Sequence, residues 1–240
     1  MSLHAVVPAY NAARHLPGVI ERLVRAAPPE LRGMIVVDDG SRDETAEVAA
    51  RLAAAEPRLT LLRRPQNGGY GAAMKDGLAA AIAAGATTVA SVHADGQYSP
   101  EALGRLVREL EGRGLDLLQG SRIASGTALS GGMPLYKYLA NAVLNRLENF
   151  TLGLRLSDYH SGYLVYGPRA LARIPFARLS DSFDFDLEVL ASARAAGLRV
   201  GEAPIPTHYG DEVSHLEPLH YGLRILRVLW RYRRGHYGSP

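Results

Sequence analysis

Short apolar runs rich in β-branched residues alternate, through the first half of the chain, with longer alanine- and leucine-rich stretches of helical period. The runs Leu3–Val7, Met34–Val37, Leu59–Leu62, Thr88–Val92 and Leu115–Gln119 predict strands, and Leu16–Ala26, Glu44–Ala54, Gly71–Ala84 and Pro100–Glu111 predict helices between them. Strand and helix in strict alternation is the pattern of βαβ units, so the expected fold class is α/β with a mainly parallel sheet flanked by helices. Beyond Gly120 the alternation stops. A Gly/Ser loop, Ser125–Gly132, precedes a predicted helix at Tyr136–Thr151, a strand at Gly162–Tyr166, a helix at Asp184–Ala196 and a strand at Arg199–Ile205. No repeat, low-complexity tract or linker divides the chain, so one domain over residues 1–215 is expected, followed by a C-terminal helix and tail over 216–240.

Composition narrows the function classes. With 240 residues and 47% hydrophobic content the chain can bury one sizeable core. The net charge is +3 and Lys75 and Lys137 are the only lysines, so arginine carries the positive charge. Those arginines are scattered among carboxylates over most of the length, which argues against nucleic acid as a partner. The absence of cysteine excludes disulfides, thiolate metal sites and a cysteine nucleophile. The opening MSLHAVVPAYN lacks the basic start and apolar core of a signal peptide. No run approaches the ~18 apolar residues of a membrane span. A cytoplasmic protein, free or peripheral on the membrane face, is the expectation.

Polar clusters follow the strands, where open α/β sheets place their ligands. The first strand runs into Val7-Pro8-Ala9-Tyr10-Asn11 without the glycine-rich turn of a dinucleotide fold or the Gly-Lys pair of a P-loop. The second ends in Val36-Val37-Asp38-Asp39-Gly40-Ser41, where Asp39 can accept hydrogen bonds from a ribose or base, while Asp43 suits a helix cap. The fourth delivers His93-Ala94-Asp95-Gly96-Gln97, a carboxylate, an imidazole and an amide suited to Mg²⁺ or Mn²⁺. Such an ion neutralises charge building on a departing diphosphate.

The segments VPAYN, VVDDGS, NGGYGAAMKDG and HADGQ, in this order and spacing, closely resemble the family 2 glycosyltransferases of GT-A fold. The later segments GSR, MPLYK, LSDYHSGY and APIPTHYGDE resemble the dolichyl- and polyprenyl-phosphate sugar transferase branch, and the likeness covers residues 3 to about 215. It implies an inverting transfer from a nucleotide-diphosphate sugar, a UDP- or GDP-sugar, to a polyprenyl or dolichyl phosphate, with Mg²⁺ or Mn²⁺ as cofactor. By that resemblance Pro8, Ala9, Tyr10, Asp39, Asn67, Lys75 and Asp95 bind the donor, and Asp95, Gln97 and His93 hold the metal. Arg122 faces the acceptor phosphate together with Lys137, and Asp158 is the catalytic carboxylate or acceptor-orienting group. This chain carries His93 where the first aspartate of a D-x-D pair is common, Ala12-Ala13 where relatives often have glutamate, and Leu164 where an arginine often follows the Gly-Tyr pair. His160, Asp186 and His208 are secondary candidates.

The rival readings are the same chemistry on a hydroxyl of a glycan or small metabolite, a nucleotidyltransferase, and an inactive nucleotide-sugar-binding module. A nucleotidyltransferase would carry a glycine-rich, Arg/Lys-bearing loop after the first strand, which is missing. The segment Tyr221–Arg234 is helical in pattern, with Arg224, Arg227, Arg231 and Arg234 on one side and Ile225, Leu226, Val228 and Leu229 on the other. Residues 219–234 therefore suit an anionic membrane surface, a second copy in a homo-oligomer, or the chain's own core.

Overall fold

The computed structural model describes residues 1–124, 126, 135–206 and 218–238, without the side chains of residues 136, 137 and 218–220. The Lys137 side chain, His208 and, apart from Gly126, the Ser125–Gly132 loop lie outside the described residues.

Seven strands form one sheet: β1 (Leu3–Ala9), β2 (Leu31–Asp38), β3 (Leu59–Arg63), β4 (Thr88–Ser91), β5 (Leu117–Ser121), β6 (Leu164–Tyr166) and β7 (Val200–Pro204). Their order is β3-β2-β1-β4-β6-β5-β7. Pairings β1–β2, β1–β4, β2–β3 and β5–β7 are parallel. Strand β6 runs antiparallel to both β4 and β5. The expectation of a mainly parallel sheet holds, with β6 as its exception.

The strands read as near-continuous apolar runs because both sheet faces are covered. In β1, Leu3, Ala5, Val7 and Ala9 enter one core layer and Val6 the other; in β2, Met34 and Val36 oppose Ile35 and Val37. The first layer packs on α1 (Leu16–Arg25), α2 (Thr45–Ala55) and α4 (Leu103–Gly112), through Leu16, Leu23, Val48, Leu103 and Leu106 among others. The second packs on α3 (Tyr70–Ala83), α5 (Leu135–Leu152), α6 (Pro168–Arg173), α7 (Phe185–Ala195) and α8 (Pro218–Arg233). Connections from β1 to β3 use the first face and α3 crosses on the second, so the strand order reverses between β1 and β4. Open α/β sheets bind ligands in the crevice at such a switch point.

Helix α8 is anchored on its own domain. Ile225, Val228 and Leu229 are buried in the second layer, while Leu226, expected on that same face, is exposed. Arg224 pairs with Asp184 at 3.4 Å and Arg231 with the buried Glu188 at 2.9 Å. Tyr237, just beyond the helix, donates its hydroxyl to Glu188 at 2.5 Å. Two of the four arginines expected on one side of the helix are thus tied to the start of α7.

Candidate functional site

The carboxyl ends of β1, β2, β4 and β5 lie on one sheet edge, and antiparallel β6 begins at that same edge. Most described candidate side chains come from this rim or the loops beside it, while Lys75 and Asp186 come from α3 and α7.

The β1 and β2 ends are laced together by short polar links. Asn11 adopts the left-handed region (φ 51°), which asparagine tolerates better than most residues. Its N–H donates to Ser41 Oγ at 3.0 Å and its Oδ1 accepts the Arg42 N–H at 2.9 Å. The N-cap of α2 is Glu44 rather than the expected Asp43; Asp43 instead accepts the Thr45 N–H at 3.0 Å and the Ala13 N–H at 3.2 Å, which ties the start of α2 to the β1 loop. Pro8 and Ala9 are within β1, and Tyr10 follows with 42% of its surface exposed.

Asp39 is buried and its carboxylate accepts the Gly68 and Gly69 N–H groups at 3.0 and 2.8 Å and an ion pair from Arg64. Arg64 also reaches Asp76 at 2.8 Å. Asp39 therefore shapes the Asn67-Gly68-Gly69 turn, in which Asn67 is exposed. Lys75 is turned another way: its ammonium donates to the Leu179 carbonyl at 3.0 Å and pairs with Asp181 at 2.5 Å. It fastens α3 to the loop before α7 rather than standing on the rim.

At the β4 end, Asp95 is half-buried and its Oδ1 accepts the Gln97 N–H at 2.9 Å. His93 packs between the rings of Tyr98 and Tyr70, with centroids 4.9 and 5.6 Å away. Its Nε2 is buried without a hydrogen-bond partner, turned toward Gly162. Burial holds the His93 pKa below the ordinary histidine range, against the opposing pull of Asp95 and the Gly162 backbone. Gly162 has φ +69°, and a Cβ there would lie 2.4 Å from His93 Nε2, so only glycine fits.

Among the described residues no three His, Cys, Asp or Glu side chains converge as a metal cage. The donor set does fit a hard cation bound through one carboxylate, Asp95, with phosphate oxygens and water completing the shell, the usual manner for Mg²⁺. With Nε2 enclosed, His93 fits better as a packing partner of the 160–163 segment than as a ligand.

The β5 end carries a two-pronged ion pair. Arg122 grips Asp158 through two parallel bonds, Nε to Oδ2 at 2.7 Å and Nη2 to Oδ1 at 2.8 Å. The His160 N–H donates to Oδ1 at 3.0 Å and the Arg122 N–H to Oδ2 at 3.2 Å. Asp158 is fully buried. Burial pushes its carboxyl up, but the Arg122 charge and hydrogen bonds, aided by His160, more than reverse this and leave it below the ordinary range.

Behind this pair, His160 Nδ1 meets the Tyr221 hydroxyl of α8 at 3.0 Å, and its Nε2 lies 3.3 Å from Glu148 of α5. Asp186, at the start of α7, is buried with Oδ1 unpartnered. Burial pushes its carboxyl up to about 7, against weaker pulls from the Tyr70 hydroxyl and His160. Sequence reasoning missed Arg64, Gly162, Glu148 and Tyr221. Each acts on a partner at least 12 residues away, and no local pattern signals that.

The glycosyl transferase family 2 model matches residues 4–174. Polyprenol monophosphomannose synthase of Mycolicibacterium smegmatis is 31% identical over 202 residues, 83% of this chain and 75% of that protein. Undecaprenyl-phosphate mannosyltransferase of Micrococcus luteus is 30% identical over 206 residues, 85% of this chain and 83% of that protein. Among solved structures, glucosyl-3-phosphoglycerate synthase of Mycobacterium tuberculosis, crystallised with Mn²⁺, UDP and glucosyl-3-phosphoglycerate, superposes with a TM-score of 0.67 at 18% identity. That match covers all of this chain and 81% of the other, and it shows the shared GT-A-like fold. A switch-point crevice rimmed by these strand ends, and a family match spanning β1 to α6, lead to one conclusion: the chain belongs to glycosyl transferase family 2.

Proposed function

We propose that the protein transfers a sugar, with inversion, from a nucleotide-diphosphate donor to the phosphate of a polyprenyl-type lipid. The observation that carries the choice of acceptor is the state of Asp158. Transfer to a hydroxyl calls for a carboxylate free to take a proton in the transition state. Here both Asp158 oxygens are occupied by Arg122 and two backbone N–H groups, and the group is held at low basicity. A phosphate monoester, with second pKa near ~6, is already anionic and requires no base. Asp158 then orients Arg122, whose planar fork suits phosphate. The relatives named for polyprenol and undecaprenyl phosphate support the same acceptor class.

On the donor side, Pro8, Ala9, Tyr10 and the Asp39–Arg64–Gly68 turn wall the nucleoside end of the crevice, and Asp95 faces the diphosphate with Gln97 beside it. A divalent cation at Asp95 would supply charge neutralisation for the leaving nucleotide.

The test is release of nucleoside diphosphate from UDP- and GDP-sugars in the presence of a polyprenyl phosphate or the matching free polyprenol. The phosphate should support turnover, the alcohol should not, and the product should have the opposite anomeric configuration to the donor. Asp95→Ala should lower turnover at least ~100-fold, the scale of a lost transition-state electrostatic contact. Faster transfer to the alcohol, with a log-linear fall in rate at acid pH that Asp158→Asn removes, would establish a hydroxyl acceptor and end this reading.

A further inference from the structure

Helix α5 has a mixed inward side. Leu152 is buried in the second layer with Leu144 packed against it, and beside them Asn145 donates to the Ser157 carbonyl, Asn149 donates to the Leu156 carbonyl at 2.8 Å and accepts the Leu156 N–H at 2.9 Å, and Glu148 is fully buried. The outward side of the helix carries Leu135, Leu139, Val143, Leu147 and Phe150, spaced by four, four, four and three residues, with exposures of 61, 55, 69, 37 and 77%. A continuous apolar stripe facing water over a whole helix is rare on a soluble surface and marks an interaction site.

Helix α8 extends the stripe. Leu223, Leu226 and Trp230 are 58, 48 and 58% exposed on the side away from its buried Ile225–Val228–Leu229 seam. Arg233 lies over the Phe150 ring at 5.4 Å and joins the two helices, and Arg234 lies over Trp230 at 5.0 Å. The charged residues exposed on this face, Arg146, Arg227, Arg233 and Arg234, are all cationic, and Arg227 stands at its border, lining a cavity shared with Asp181 and Asp184.

We propose that the outward faces of α5 and α8 form a docking surface for an anionic lipid bilayer, on which the two helices lie flat. An apolar stripe edged by arginines, with a tryptophan at the border, has the composition of an interfacial helix: hydrocarbon contacts in the middle, guanidinium groups at headgroup level. Charge argues against a second copy as the occupant, since two-fold pairing of this face would set arginines against arginines. Among the described residues no helix is long and apolar enough to cross the membrane. Behind the stripe, α5 holds residues 156–157 and α8 holds His160 through Tyr221, so the surface backs directly onto the Arg122–Asp158 pair. The inference deepens the lipid-phosphate reading and rests on it for the origin of the acceptor.

Co-sedimentation with vesicles of phosphatidylcholine alone, or mixed with phosphatidylglycerol, tests it at low and high salt. The protein should partition onto the mixed vesicles, at least ~10-fold less onto the neutral ones, and less in high salt. Val143→Asp, at an exposed position outside the site, should cut partitioning at least tenfold and leave transfer to a short water-soluble prenyl phosphate within twofold. Arg227→Glu with Arg234→Glu should abolish the preference for anionic vesicles. If the protein remains in the supernatant with both vesicle types, or if Val143→Asp splits a dimer without changing partitioning, the surface is not a membrane dock. Absence of transfer to any prenyl phosphate, with vesicle binding and its loss in Val143→Asp intact, would overturn the acceptor and uphold the docking surface.

Discussion

The two halves of the rim are built by different means. On the proposed donor side, around β1 and β2, most links are backbone N–H groups meeting side chains from a neighbouring turn, Asn11 with Ser41 and Arg42 and Asp39 with Gly68 and Gly69, beside the Asp39–Arg64 ion pair. On the acceptor side the links are buried side-chain charges: Arg122 with Asp158, Glu148 near His160, Asp186 with an unpartnered oxygen. The backbone links are tolerant because each such bond is worth only ~1 kcal/mol net. The second construction is exacting, because a buried charge left without its partner is costly.

Cutting the ion pair is the severest way to break that contrast. Arg122→Ala strands Asp158 in the interior and should cost about 3–5 kcal/mol of stability in urea unfolding. The depressed Asp158 pKa means its contribution is present above the unfolded carboxylate value and fades as pH falls through the lower folded one. Asp186 behaves oppositely. Its folded pKa of about 7 exceeds an unfolded value near ~3.9, so its presence penalises the fold increasingly between about pH 4 and 7 and fully above. Asp186→Asn should therefore flatten the pH dependence of the melting temperature over that window, removing a slope worth up to about 4 kcal/mol. Gly162→Ala forces a side chain into the left-handed region and against His93, and should destabilise by about 2–3 kcal/mol. Mildest is Lys75→Ala on the opposite side, where losing Asp181 and the Leu179 carbonyl should cost under about 1 kcal/mol. It should leave donor affinity, read by nucleotide-dependent thermal shift, within about twofold; a tenfold loss would return Lys75 to the donor site.

The same contrast governs what could be read from the sequence. The donor side is written in contiguous segments, so Leu3–Val7, Met34–Val37 and the turns after them were located correctly, the strands extending to Ala9 and Asp38 because parallel pairing continues to that register. The fifth strand lies two residues later than Leu115–Gln119 suggests, since Gly114 and Leu115 still close the end of α4. Helix α6 was overlooked because six residues are too few to show a period. Of the candidate residues, Asp95, Arg122 and Asp158 reach the rim, whereas Lys75 turns away and His93 buries its Nε2. Those last two outcomes depend on Asp181 and Gly162, which tertiary packing alone brings near. The outward stripe of α5 was equally hidden, because periodicity shows that a helix has two sides and leaves open which one meets the interior.

Strand β6 enters between β4 and β5 from the opposite direction, and this sets a fixed length in the molecule. The tips that carry Asp95 and Arg122 are separated by two inter-strand steps, about 10 Å in all. Hydrogen-bonded ladders define that gap, so point substitutions of side chains leave it unchanged. Like the jaws of a caliper locked at one setting, the two strand ends keep their distance whatever side chains they carry.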